Sequence, residues 1–282
     1  MIYIVCALFI EAKPLIKKYD LKKENSFQKF QIFSNEDMKL VISGVGKIKS
    51  AIAITYLFEN FKVKESDFII NLGYCASTNY NDKLNEIVMI SEIKSAYSNQ
   101  AYYPDMLYKH DFIEGTAICY DKVVETYESE SSKYENIYID MESIGFFEAA
   151  SMYLKKDKII VLKLISDILR KRKEDRTIID INNKIDLDKI YQKIYDFIEN
   201  LKVFIVHDNN FSDLEEKYIL KISNTLKLTD TMYYEFLNLL KYLKLSKQDI
   251  IEFLKKYETM EIKTKSEGKK QFEDIKKRII EF

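Results

Sequence analysis

The sequence predicts an α/β domain with a mixed, largely buried central sheet flanked by helices, followed by an all-α C-terminal extension. Three observations carry this expectation. Short β-branched runs alternate with helical patterns through the first two-thirds of the 282 residues. Several of those runs are almost wholly apolar, as strands covered on both faces are. Past the polar stretch His207-Asp208-Asn209-Asn210 no strand-like run remains. The expected domains are therefore 1–206 and 207–282.

In chain order, strands are expected at 2–8, 39–43, 67–73, 86–90, 113–120, 137–140 and 159–166. Residues 47–61 carry Ile48, Ala51, Ile52, Tyr56 and Phe58 at helical spacing, and 143–154 and 187–201 are similar. A further helix is expected to begin near Pro14. In the extension, Ser212 with Glu215 has the form of a capping box, opening a helix with Leu214, Tyr218, Ile222 and Leu226 on one side. Residues 229–243, 246–257 and 265–282 follow as helices.

Composition narrows the function. Hydrophobic residues make up 47% of the chain, enough for a sizeable core. The formal net charge is −1, so no overall field favours nucleic acid or an anionic membrane as partner. Cys6, Cys75 and Cys119 are far apart and odd in number, which fits reduced thiols and no disulfide framework. His110 and His207 are far apart with no Cys or His cluster beside them, so neither a zinc site nor a His-based catalytic triad is expected, and no cofactor is expected either. The apolar run 2–10 is too short to span a membrane and is closed by Glu11. It lacks a basic leader and a cleavage site, and a cytoplasmic location is expected.

Four segments carry the residue types that chemistry needs. Glu11 follows the first strand, where open α/β sheets place their sites, although a carboxylate there also complements a helix dipole. Ser43-Gly44-Val45-Gly46-Lys47 lies between a strand and a helix, and paired glycines let backbone approach a ligand. Asp140-Met141-Glu142-Ser143 and Leu164-Ile165-Ser166-Asp167 both put carboxylates after buried strands. Apolar surroundings and neighbouring acids invite shifted pKa values. Capping of following helices is the alternative role for Glu142 and Asp167.

In this order, with Ile70-Asn71-Leu72-Gly73 between them, the segments resemble the nucleoside phosphorylase/nucleosidase superfamily, and most of all the 5′-methylthioadenosine/S-adenosylhomocysteine nucleosidases. The resemblance implies a phosphorylase/nucleosidase-like sheet and hydrolysis of the N-glycosidic bond of a purine nucleoside, with adenine as the expected base. Asp167 would protonate the base, Glu142 would hold the ribose hydroxyls, and Glu11 would activate water. Gly46, Gly73, Tyr74, Val123, Met141 and Ser166 would contact substrate. A homodimer is implied, with Tyr102-Tyr103-Pro104 in a loop that reaches a neighbouring pocket in family dimers.

The chain departs from the family pattern at Tyr74-Cys75-Ala76-Ser77, where small glycine-rich residues are usual. It departs again at Lys122-Val123-Val124, where the aromatic that stacks on the base is missing. Two alternatives stay open: a phosphate-dependent phosphorylase, and a degenerate nucleoside-binding or interaction protein. The scarcity of arginine, with none before Arg170, speaks against a phosphate clamp.

Overall fold

The computed structural model describes residues 1–127, 136–178, 187–207, 211–246, 248–260, 262 and 264–280. They divide into two compact units, Met1–Val206 and His207–Phe282. Residues 208–210 of the expected linker lie outside the described residues.

The first unit runs β1 (Ile2–Cys6), α1 (Phe9–Lys18), β2 (Lys22–Lys23), β3 (Gln31–Ser34), β4 (Met38–Ile42) and α2 (Lys47–Asn60). It continues with β5 (Phe68–Ser77), β6 (Ile87–Ser95), β7 (Ala101–Tyr102), β8 (Ile113–Cys119) and β9 (Ile137–Asp140). It ends with α3 (Ser143–Ser151), β10 (Ile159–Ile168), β11 (Thr177–Ile178) and α4 (Leu187–His207).

These strands form one mixed sheet. β1 lies between β4 and β5, parallel to both, and every one of its residues is buried. β5 runs parallel to β10 from Ile69 to Ser77, while its last two residues also pair antiparallel with β9. Because β10 continues through β6 and β8 back to β9, the strands β5, β10, β6, β8 and β9 close on themselves. The apolar runs are explained by two cores. One packs α2 and α3 residues, among them Leu57, Phe58, Phe146 and Phe147, against Tyr3 and Val5 of β1. The other packs Ala12 and Leu15 of α1 and Ile194, Ile198 and Leu201 of α4 against Ile2 and Ile4. Alternate residues of one strand thus feed opposite cores.

All seven expected strands form, 137–140 with the expected bounds and the other six with shifted ends. The short hairpin β2–β3 has too little periodicity to be read from sequence. Helix α1 starts at Phe9, ahead of Pro14, because the Glu11 carboxylate accepts the Leu8 N–H at 2.8 Å and satisfies an end amide. On α2 the buried residues are Ser50, Ala53, Ile54, Leu57 and Phe58, whereas Ile48 and Ile52 of the expected stripe are exposed. Apolar residues run almost round this helix, so spacing alone does not single out its buried face.

In the second unit, α5 (Asp213–Thr225), α6 (Asp230–Leu245), α7 (Ile250–Lys255) and α8 (Lys265–Ile280) surround Ile222, Leu226, Phe236, Leu240, Phe253, Phe272 and Ile275. The Ser212–Glu215 capping box is formed in both directions. Leu214 is exposed and does not join Ile222 and Leu226. Ser246 does not open α7. Its N–H donates back to the Tyr242 carbonyl and ends α6, while Asp249 accepts the Ile251 and Glu252 amides and starts α7 three residues later than expected. No helix among the described residues is long and apolar enough to cross a membrane.

Candidate active site

A cleft of about 170 Å³ opens at the ends of β1, β5, β9 and β10. Glu11, Glu142 and Asp167 all line it, each delivered by a different strand end. Tyr74, Val123, Met141 and Ser166 line it too. Gly46 and Gly73 do not; they act on two of the carboxylates instead.

Glu11 is buried, and both its oxygens are held by backbone. One accepts the Leu8 N–H at 2.8 Å and the other the Tyr74 N–H at 3.0 Å. Its capping role and its place in the cleft are therefore one arrangement. A Cβ at Gly73 would come within 3.2 Å of Glu11 Oε1, so the glycine keeps room for the carboxylate on β5. Burial pushes the Glu11 pKa above the ordinary glutamate value and Glu142 adds to this, while the two amides and Lys163 pull against it. A carboxylate poised higher than usual suits a general base.

Glu142 stands at the start of α3 but caps nothing. That task falls to Asp140, which accepts the Ser143 N–H at 2.9 Å, the Glu142 N–H at 3.3 Å and the Ser143 hydroxyl at 2.6 Å. With the helix end satisfied, Glu142 is free to enter the cleft, where its Oε1 accepts the Gly46 N–H at 2.8 Å. Gly46 has φ 108°, a left-handed-side conformation that glycine adopts without a Cβ clash. The two-glycine turn thus aims an amide at Glu142.

Behind both acids lies Lys163, a fully buried residue of β10. Its Nζ is 2.8 Å from Asp140 and 3.8 Å from Glu142. Burial pulls its pKa down, but Asp140, Glu142 and Glu11 outweigh that and hold it above the ordinary lysine value. Burial likewise raises Glu142, against Lys163 and with Asp140. The result is a buried cation shared by three acids.

Asp167 reaches the cleft through a β-bulge. The register of β10 against β5 slips between Ile165 and Asp167, so that Ser166 is the extra residue. A bulge bends its strand and re-aims the side chain that follows. Asp167 heads no helix, which removes the capping alternative. Its Oδ2 accepts the Ser166 hydroxyl at 2.5 Å and its Oδ1 accepts Arg176 Nη2 at 2.9 Å. Arg176, just before β11, also lines the cleft.

Tyr74 lines the wall beside Glu11, and burial together with Glu11 and Cys6 raises its hydroxyl pKa. Val123 and Val124 stand where a stacking aromatic was missed in the sequence. Tyr102 is tied to Glu148 at 2.6 Å, and Tyr103 is exposed. Sequence reasoning overlooked Lys163, the anchoring part of Asp140, and Arg176. Two signals were present: a single lysine inside the apolar run 159–165, and three of the four arginines gathered within 170–176.

Comparison with known proteins agrees with this architecture. No family model matches the sequence. A 5′-methylthioadenosine/S-adenosylhomocysteine nucleosidase of Maridesulfovibrio salexigens is 29% identical over 95 residues, or 32% of this chain. The chain spans 40% of the length of that curated relative. Among solved structures, the S-adenosylhomocysteine nucleosidase of Streptococcus pyogenes, in complex with 5-methylthiotubericidin, superposes with a TM-score of 0.54 at 19% identity. It covers 72% of this chain and 95% of its own. A futalosine hydrolase mutant of Helicobacter pylori gives 0.54 at 15% identity, over 71% and 97%. The methylthioadenosine nucleosidase of the same organism gives 0.53 at 14%, over 73% and 97%. The chain thus has the fold of the nucleoside phosphorylase/nucleosidase superfamily and is a distant homologue of the 5′-methylthioadenosine/S-adenosylhomocysteine nucleosidases.

Proposed function

We propose that this chain is an N-glycosidase that hydrolyses the bond between a purine base and its ribose. The observation that carries the reading is the convergence of Glu11, Glu142 and Asp167 on one cleft from three strand ends. Solved relatives bound to nucleoside analogues support a nucleoside as ligand.

In this mechanism Glu11 takes a proton from water while that oxygen bonds to the sugar carbon C1′. The C1′–N bond breaks, its electron pair leaves with the purine, and Asp167, having taken up a proton from solvent, passes it to the base. Positive charge gathers on the sugar in the transition state, as in glycoside hydrolysis, and Glu142 answers it through the ribose hydroxyls. Lys163 touches no substrate here. It is a positioning residue that keeps Glu142 fixed within a buried set of like charges. Both oxygens of Asp167 are engaged by donors, so proton transfer requires that the incoming base displace one of them.

Water is favoured over phosphate as nucleophile because Glu11 and Glu142 on the cleft wall would repel a phosphate dianion. The exposed Ile48 and Ile52 on α2, beside exposed Val45, support the homodimer that the family resemblance implies.

The test is release of free base from a panel of purine nucleosides, with and without phosphate, comparing wild type with Asp167→Asn. Phosphate-independent release that falls at least a hundredfold in the variant is the expected result. Strict phosphate dependence would overturn hydrolysis, and no release from any nucleoside by folded protein would overturn the N-glycosidase reading.

A further inference from the structure

Arginine is scarce in this chain: four residues against forty lysines. Three of the four follow Asp167 within nine residues. Arg170 lies over the Tyr80 ring, 4.0 Å from its centroid, and Arg172 is an exposed partner of Asp175. Arg176 differs from both. Its side chain is mostly buried, lines the cleft, and donates from Nη2 to Asp167 at 2.9 Å. Its Nε is buried with no acceptor among the described residues. A buried donor without a partner is costly, and because the Arg176 side chain lines the cleft, a small turn of its guanidinium brings an N–H to an acceptor on a ligand.

The chemistry of that acceptor follows from the neighbours. Around Asp167 the side chains are donors, the Ser166 hydroxyl and the Arg176 guanidinium, with apolar Val123 and Val124 beyond. A purine offers N7 and the group at C6 along one edge. In a 6-oxopurine both are acceptors, so N7 can take the Asp167 proton while O6 accepts a guanidinium N–H of Arg176, whose fork then spans Asp167 and the base. In adenine the C6 group is an amine, a donor that would meet another donor. The guanidinium has no acceptor lone pair to offer it.

Resting on the N-glycosidase reading, we propose that Arg176 selects a 6-oxopurine, a hypoxanthine- or guanine-type base, as the leaving group in place of adenine. O6 takes the free guanidinium donor, and N7 receives the proton from Asp167. Lysine would supply the charge but not the fork, which explains an arginine at this position in a lysine-rich chain.

The experiment is calorimetric titration of the full chain with free hypoxanthine and with free adenine, for wild type, Arg176→Gln and Arg176→Lys. Wild type should bind hypoxanthine on the order of ten- to a hundredfold more tightly, because adenine would set its amine against a buried donor left without an acceptor. Gln carries both a donor and an acceptor, so R176Q should erase or reverse the preference, and R176K should lower it. Adenine bound as tightly as hypoxanthine by wild type, a preference unchanged in R176Q, or binding of neither base would each overturn the proposal. Turnover of inosine and adenosine, run in parallel, separates the two readings. Selective hypoxanthine binding without cleavage of either nucleoside removes the N-glycosidase and leaves Arg176 as a base selector. Asp167-dependent release of adenine in preference to hypoxanthine does the reverse.

Discussion

Replacing Lys163 by Met tests whether the buried cation holds the acids together. The two side chains are similar in length, so packing changes little and the charge is removed. Asp140, at 2.8 Å, and Glu142, at 3.8 Å, then lose their buried partner. Breaking a buried pair by deleting one member costs about 3–5 kcal/mol, because the other charge stays behind unpaired. Against a total stability of about 5–15 kcal/mol, the loss is large but survivable.

Its pH dependence is the diagnostic part. Glu11 and Glu142 have native pKa values raised above 4.5. Between 4.5 and those raised values the native state holds more protons than the unfolded chain, so these groups make stability decline as pH rises. Lys163 limits the climb of both. Without it they should rise further, each additional unit costing about 1.4 kcal/mol at pH 8. Acidification protonates them and returns that part. Urea unfolding of the full chain at pH 8 and pH 5 should therefore show a larger K163M loss at pH 8. An equal loss at both values would mean that packing rather than charge is responsible, and a loss under about 1 kcal/mol at pH 8 would refute the shared-cation account.

Further expectations concern individual parts of the site and of the second unit. Glu11→Gln should lower base release by about a hundredfold or more. In wild type, kcat/KM should fall as pH drops through the raised Glu11 pKa, since the base must be ionised, and the limb should vanish in E11Q. Gly46→Ala places a Cβ at φ 108°, which should cost about 1–3 kcal/mol in thermal unfolding and raise KM by moving the amide off Glu142. Ser212→Ala removes a formed N-cap and should destabilise α5 by about 1 kcal/mol, readable by amide exchange within that helix.

What the sequence made legible, and what it hid, follows from the range of the interactions. The strands at 2–6 and 159–168 declared themselves because burial on both faces leaves an apolar run with no alternation, a purely local signature. The acids at strand ends were visible for the same reason: each interrupts such a run. Their partners were not, because Asp140 and Lys163 are 23 positions apart and Gly46 and Glu142 are 96. Only the sheet brings β9 and β10 to the same edge of the cleft, so no spacing rule connects them.

Lys163 shows the limit most clearly. A lysine inside an apolar strand has no local excuse, and its presence already demanded a buried anion, although not which one. Ser166 is subtler: its bulge turns Asp167 into the cleft, but nothing in Ile165-Ser166-Asp167 announces an extra residue until β5 is laid beside it. Arg176 adds a third case. Its role depends on β11 folding back against β10, which places the guanidinium on an acid nine residues earlier. The sequence thus exposes groups whose burial is costly, while the pairings that make them tolerable are properties of the sheet.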